Sequence, residues 1–170
     1  FDSTTVEFLP QFPKIAIDEV DYISADNSGN FIRNGESIRF FGGNLTTQGA
    51  FPTKGDAEKI AGRMRKMGIN LIRFHHIDNP WSNGSLFYGV TGTRKFNAVL
   101  LDRLDYLIYQ LKENGIYVNM NLNVSRTFEN SDGIYAADSL SDYGKGITLF
   151  NRDMIELEKE YAKQLLGHVN

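Results

Sequence analysis

The segment Gly68–Asp78, GINLIRFHHID, places an arginine, two histidines and an aspartate within six residues, directly after an apolar run. These are groups that hold carboxylates, exchange protons and bind polar ligands, and they are costly to bury without partners. Side chains alternate along a strand, which splits the set. Leu71, Arg73 and His75 share one face, and Ile72 and Phe74 share the other. His76 is expected to point outward as a packing or surface histidine, and Asp78 to belong to the following loop. Adjacent strand histidines diverge, so one ion cannot easily use both, and no metal site is expected.

A second polar strand end follows the same logic. Asn119, Asn121 and Asn123 share a face of the strand expected over residues 116–122, with Val118, Met120 and Leu122 opposite. In a flat doubly wound sheet both faces meet helices, and three asparagines on one of them are expensive. In a barrel that face points inward and its top end lines a site, so the pattern favours a barrel.

The elements that position these residues are readable from periodicity. Asn34-Gly35 is a strong hairpin signal between Phe31-Ile32 and Ser37–Phe41. The second arm is expected to run on as the first strand of the α/β part and to end at Gly42-Gly43-Asn44. Ala57, Ile60, Ala61, Met64 and Met67 mark a helix over residues 53–67, capped by Thr53 and stopped by Gly68. Leu100, Leu101, Leu104, Leu107, Ile108 and Leu111 mark another over 97–113, ended by Asn114-Gly115. A third is expected over 153–168, with Glu156, Glu158 and Glu160 on a solvated face. Strand and helix thus alternate three times, which implies parallel strands. The helix-to-strand joints are tight, whereas the loops over 76–95 and 123–149 are long. That asymmetry places function at the C-terminal strand ends. Residues 1–37 read as an extended lead-in with a β-hairpin, and 38–170 as three βα units.

Composition narrows the partners. The 170 residues hold 18 Lys plus Arg against 21 Asp plus Glu, a net charge of −3, which gives no electrostatic case for nucleic acid or an anionic membrane. No run is long enough to span a bilayer. The absence of cysteine excludes disulfides, thiolate metal sites and a cysteine nucleophile. The glycine pair of FFGGN lacks the spacing of a nucleotide fingerprint, and no cofactor is expected. Asn44, Asn83 and Asn123 match the glycosylation sequon, a pattern common by chance.

Three stretches carry a family resemblance: IRFFGGNLTTQGAFP (Ile38–Pro52), MGINLIRFHHID (Met67–Asp78) and LDRLDYLIYQLKENGIYVNMNLN (Leu101–Asn123), with YAKQLLGHVN at the end. Together they resemble the amino-terminal part of clan A glycoside hydrolases, the family five cellulase-like (β/α)8 barrels. The resemblance implies a partial TIM (β/α)8 barrel within a longer, secreted or periplasmic glycosidase that acts on a carbohydrate substrate. A whole barrel takes about 250 residues, so the remaining barrel strands would belong to the parent chain. The family's two catalytic carboxylates follow the fourth and seventh strands, so no catalytic residue is expected here. Arg73 matches the arginine that supports the nucleophile. His75, Asn44, Trp81, Asn121 and Asn123 are the implied substrate-binding residues; Asn121 and Asn123 stand where relatives often carry Asp and His. The indole of Trp81, the only tryptophan, suits stacking on a pyranose, and equally suits a loop anchor. Arg126, Tyr135 and Tyr143 are further loop candidates. Two other readings stay open: a non-catalytic carbohydrate-binding barrel, and a self-contained α/β interaction module.

Overall fold

A computed structural model of the chain describes residues 15–140 and 144–169. Residues 1–14 of the expected lead-in, the candidate Tyr143 and the terminal Asn170 lie outside the described residues. Strands β1 (Ser24–Ala25), β2 (Phe31–Arg33) and β3 (Glu36–Ser37) form an antiparallel sheet in that order. Asn34 and Gly35, both at positive φ (52° and 83°), make the β2–β3 turn, as the Asn-Gly pair requires. The strand β1 had no sequence signal; it pairs Ser24 with Ile32 and Ala25 with Phe31.

The second sheet contains β4 (Gly42–Thr46), β5 (Leu71–His75) and β6 (Tyr117–Met120), in the order β4-β5-β6. Helix α1 (Lys54–Lys66) joins β4 to β5, α2 (Ala98–Glu113) joins β5 to β6, and α3 (Arg152–Gly167) follows. The Tyr117 N–H bonds to the Asn70 carbonyl at 2.9 Å and the Asn121 N–H to the Phe74 carbonyl at 3.3 Å. The partner numbers rise together, so β5 and β6 are parallel. The chain is therefore a mixed α/β protein with a βαβ sheet.

Local chemistry explains the helix limits. Thr53 accepts a bond from the Asp56 N–H, Asn97 from the Val99 and Leu100 N–H groups, and Asn151 from the Met154 N–H, so each side chain caps a helix. Gly68 and Gly115 end α1 and α2 at φ 76° and 73°. The Ile69 N–H reaches back to Met64 O and that of Ile116 to Leu111 O, the closure that lets a strand start at once.

Contacts divide the chain into two units. One gathers the described residues up to Asn44 with Thr53–Arg73 and Tyr106–Asn119. Its buried apolar residues are Ala57, Ala61, Ile72, Leu107, Leu111 and Ile116. The other gathers Leu45–Pro52, Phe74–Asp105 and the described residues from Met120 onward. Phe74, Ile77, Leu86, Leu104 and Tyr161 are buried in it, and Phe128, Ile134, Ala137, Met154 and Leu157 cluster together.

The first parallel strand sits further along than its apolar pattern predicts. Residues 38–41 lie outside both sheets, and Gly42-Gly43-Asn44, expected just beyond the strand, are its first three residues. Two contacts account for the shift. Phe40 is held edge-on between Phe31 and Tyr117, with ring centroids 5.5 and 5.7 Å apart. A Cβ on Gly42 would lie 2.6 Å from the Leu71 carbonyl oxygen, so only glycine allows the close approach with which the strand begins.

Asn70 fastens this start. Its Oδ1 accepts the Phe41 N–H at 2.7 Å, its Nδ2 donates to Arg39 O at 2.8 Å, and its backbone exchanges bonds with Phe41 and Tyr117. Asn70→Ala removes both side-chain bonds and is expected to lower unfolding free energy by about 1–2 kcal/mol. Urea denaturation checks this; an unchanged midpoint would show that the side chain is not holding the strand entry.

Candidate functional site

Burial follows the alternation expected for β5. Ile72 and Phe74 are at most 1% exposed, while Leu71, Arg73 and His75 are half-buried. The strand β6 ends at Met120, two residues before its expected limit, so Asn121 and Asn123 stand just after it. Asn121 is half-buried and Asn123 exposed. The structure brings Asn121 to His75: the amide Nδ2 lies 3.0 Å from His75 Nδ1. An amide nitrogen only donates, so in this contact His75 Nδ1 accepts.

His76 departs from its expected place as an outward bystander. Its backbone is left-handed, with φ 56°, an uncommon conformation for a residue with a side chain and one that clusters at functional sites. Its ring lies 4.1 Å from that of His75 and 5.2 Å from that of Trp81, both edge-on. Its Nδ1 is 3.0 Å from Ser125 Oγ. The Ser125 hydroxyl donates to Asp78 Oδ1 at 3.2 Å, so its oxygen accepts in the contact with His76 Nδ1. The two neighbouring imidazoles are thus each held through Nδ1, His75 by Asn121 and His76 by Ser125. Trp81 is 51% exposed and extends the surface with an indole.

Asp78 organises this arrangement from below. It is 1% exposed and its carboxylate accepts the backbone N–H groups of Val124 (2.8 Å), Ser125 (3.1 Å) and Arg126 (3.2 Å). Asn79 braces the loop carrying Trp81: Nδ2 donates to His76 O and Gly84 O, and Oδ1 accepts the Ser82 N–H. Gly84 is required here, because a Cβ would overlap the backbone of Gln48.

Arg126, read from the sequence as a possible sugar contact, is instead a buried brace, 2% exposed. Its guanidinium donates to Thr93 Oγ1, Thr93 O and Leu157 O at 2.8–2.9 Å and lies 4.8–5.4 Å from the ring centroids of Phe87, Phe128 and Tyr161. Asp132 completes the brace by accepting from Thr93 N and Oγ1. Glu158, expected on a solvated face, lies 3.6 Å from Arg126 Nη1. The signal was present: position 158 falls on the stripe Met154, Leu157, Tyr161, Leu165. Burial pushes the Glu158 carboxyl up to about 7, Arg126 opposing and Asp78 adding to the shift. Asn44 is exposed within β4 rather than at its end, and Tyr135 is 97% exposed. Arg73 stands two residues before His75 in β5.

No family model matches this chain, and no curated protein matches it. Among solved structures it is similar to one described as a glycoside hydrolase, with a TM-score of 0.50 and 15% sequence identity. The match covers 85% of this chain and 38% of that one, so the chain spans well under half the length of the protein it resembles. The likeness establishes a glycoside hydrolase-like fold.

Two outcomes test the framework. Asp78→Ala leaves three buried N–H groups without acceptors and is expected to cost about 3 kcal/mol, read by chemical denaturation. Glu158 keeps its proton in the folded state up to about pH 7, while the unfolded chain releases it near 4.5. Its contribution to stability therefore falls as pH rises from about 4.5 to about 7 and is level beyond. The difference in stability between the native chain and Glu158→Gln should vary over that window and not outside it.

Proposed function

We propose that this chain is the amino-terminal part of a glycoside hydrolase, its three βα units belonging to a (β/α)8 barrel completed by the parent chain. The observation that carries the reading is the surface formed by His75, His76, Asn121 and Trp81 at the ends of β5 and β6. Two imidazoles and a side-chain amide beside an exposed indole combine hydrogen-bonding groups with a flat apolar face, which suits a polyhydroxylated ring. The fold likeness supports it at the level of class, and the long loops after β5 and β6 agree with function at the C-terminal strand ends.

In this reading the chemistry belongs to two glutamates of the parent, about 5 Å apart, one as nucleophile and one as acid/base, with retention of configuration. Arg73 holds the nucleophile ionised and oriented, as a guanidinium beside a carboxylate does. His75, Asn121 and Trp81 bind substrate, and Asn44 and Asn123 are further substrate-binding candidates. The segment alone is then a binding surface without turnover.

Because Trp81 is the only tryptophan, its fluorescence reports this surface alone. Titration with cello-, xylo- and manno-oligosaccharides is expected to give a saturable change with at least one series, lost in His76→Ala. No response to any series would overturn the carbohydrate reading. In the parent protein, binding without hydrolysis would favour a barrel that binds sugar and lacks the acids.

A further inference from the structure

A separate recess of about 190 Å³ opens between the loop after β5 and the loop after β6. It has room for roughly six water molecules, the scale of one hexose ring rather than of a chain. Its floor is fixed. Asp78 is held by three backbone N–H groups, and Thr93 is held on one side by Asp132 and on the other by Arg126. Its rim is different. Among the described residues, no protein partner is bonded to Tyr88 Oη, Thr127 Oγ1 or Glu129 Oε1, although Glu129 Oε2 accepts from Gly92 N at 3.1 Å and Ser131 Oγ at 3.0 Å. Three residues that carry such unbonded polar atoms, Tyr88, Thr127 and Glu129, thus line one recess, and Tyr88 is half exposed.

The charges around it are one-sided. Asp78 and Glu129 lie in the wall, and Asp132 lies directly behind Thr93. Arg126, the one buried cation among the described residues, has its three nitrogens turned to Thr93 and Leu157 and does not line the recess. A carboxylate brought into this space meets like charge and finds no guanidinium among the lining residues to pair with.

From this geometry we infer that the recess is a subsite for a single neutral or amino-substituted pyranose unit and that it rejects uronates. The inference rests on the carbohydrate reading above and adds to it a substrate class and a second place of contact, built from Tyr88, Thr127 and Glu129. A hydroxylated ring supplies donors to Glu129 Oε1 and both donors and acceptors to the two hydroxyls. An ammonium in place of one hydroxyl gains from Glu129.

The test titrates the full chain with D-glucose, D-mannose, D-galactose, D-glucosamine and D-glucuronate at one ionic strength, following the amide NMR signals of Gly89, Gly92 and Thr127. At least one neutral hexose and glucosamine are expected to shift these signals saturably, with glucuronate at least tenfold weaker. Thr127→Tyr, which fills the mouth from an exposed position, should abolish the shifts and leave the Trp81 response to oligosaccharides in place. Glu129→Gln, which keeps an acceptor for Gly92, should narrow the deficit of glucuronate. Equal or tighter binding of glucuronate overturns the charge argument. Absence of shifts with every neutral hexose, while Trp81 still answers to oligosaccharides, removes the subsite and leaves the glycosidase reading standing. Loss of the Trp81 response with these shifts intact does the reverse.

Discussion

The carboxylate of Asp78 is the constraint on which the rest of the candidate site depends. It sits three residues beyond β5 and satisfies the backbone of Val124, Ser125 and Arg126, 46 to 48 positions away in the chain. Buried N–H groups need acceptors, and a charged acceptor that serves three of them holds a loop more firmly than a neutral one. One side chain therefore sets where the loop after β6 begins relative to the loop after β5. Ser125, fixed by this contact, in turn holds the His76 ring through Nδ1.

A second layer beneath those loops works by the same principle with opposite sign. Arg126 leaves the Asp78 anchor and turns its guanidinium inward, where three aromatic faces and four oxygen-bearing groups replace its water. Such a buried cation is tolerable only when its donors are filled. Glu158 is the weaker partner in the arrangement: at 3.6 Å it is close enough to feel the charge, yet its burial outweighs it. The loops are thus packed around polar contacts, which give directional definition that an apolar filling would not.

The division between tight and long connections has a plain cause. A glycine in the left-handed conformation ends α1 and α2 and returns the chain to the sheet within a few residues. The loops after β5 and β6 bury apolar residues, Leu86 in the first and, in the second, Phe128, Ile134 and Ala137, which cluster with Met154 and Leu157 of α3. They are long because they are built structures, with internal packing and internal hydrogen bonds, and this allows them to present His76, Trp81, Tyr88 and Glu129 at defined places.

The sequence by itself determined what is local. Helical stripes, capping residues, the Asn-Gly turn, the glycine joints and the alternation that sets Arg73 and His75 against Ile72 and Phe74 all depend on neighbours within a few positions. The periodicity of α3 also carried the burial of Glu158, which its charge concealed. What only the tertiary structure decided is the pairing of distant groups. Nothing near Asp78 in sequence announces that its acceptors' partners are at 124–126, and Arg126 has no local mark of burial. The start of β4 was likewise decided by Leu71, whose carbonyl leaves room for Gly42 and for no larger residue. Propensity and periodicity act along the chain, whereas close approach and polar satisfaction act across it, and the latter fixed the site.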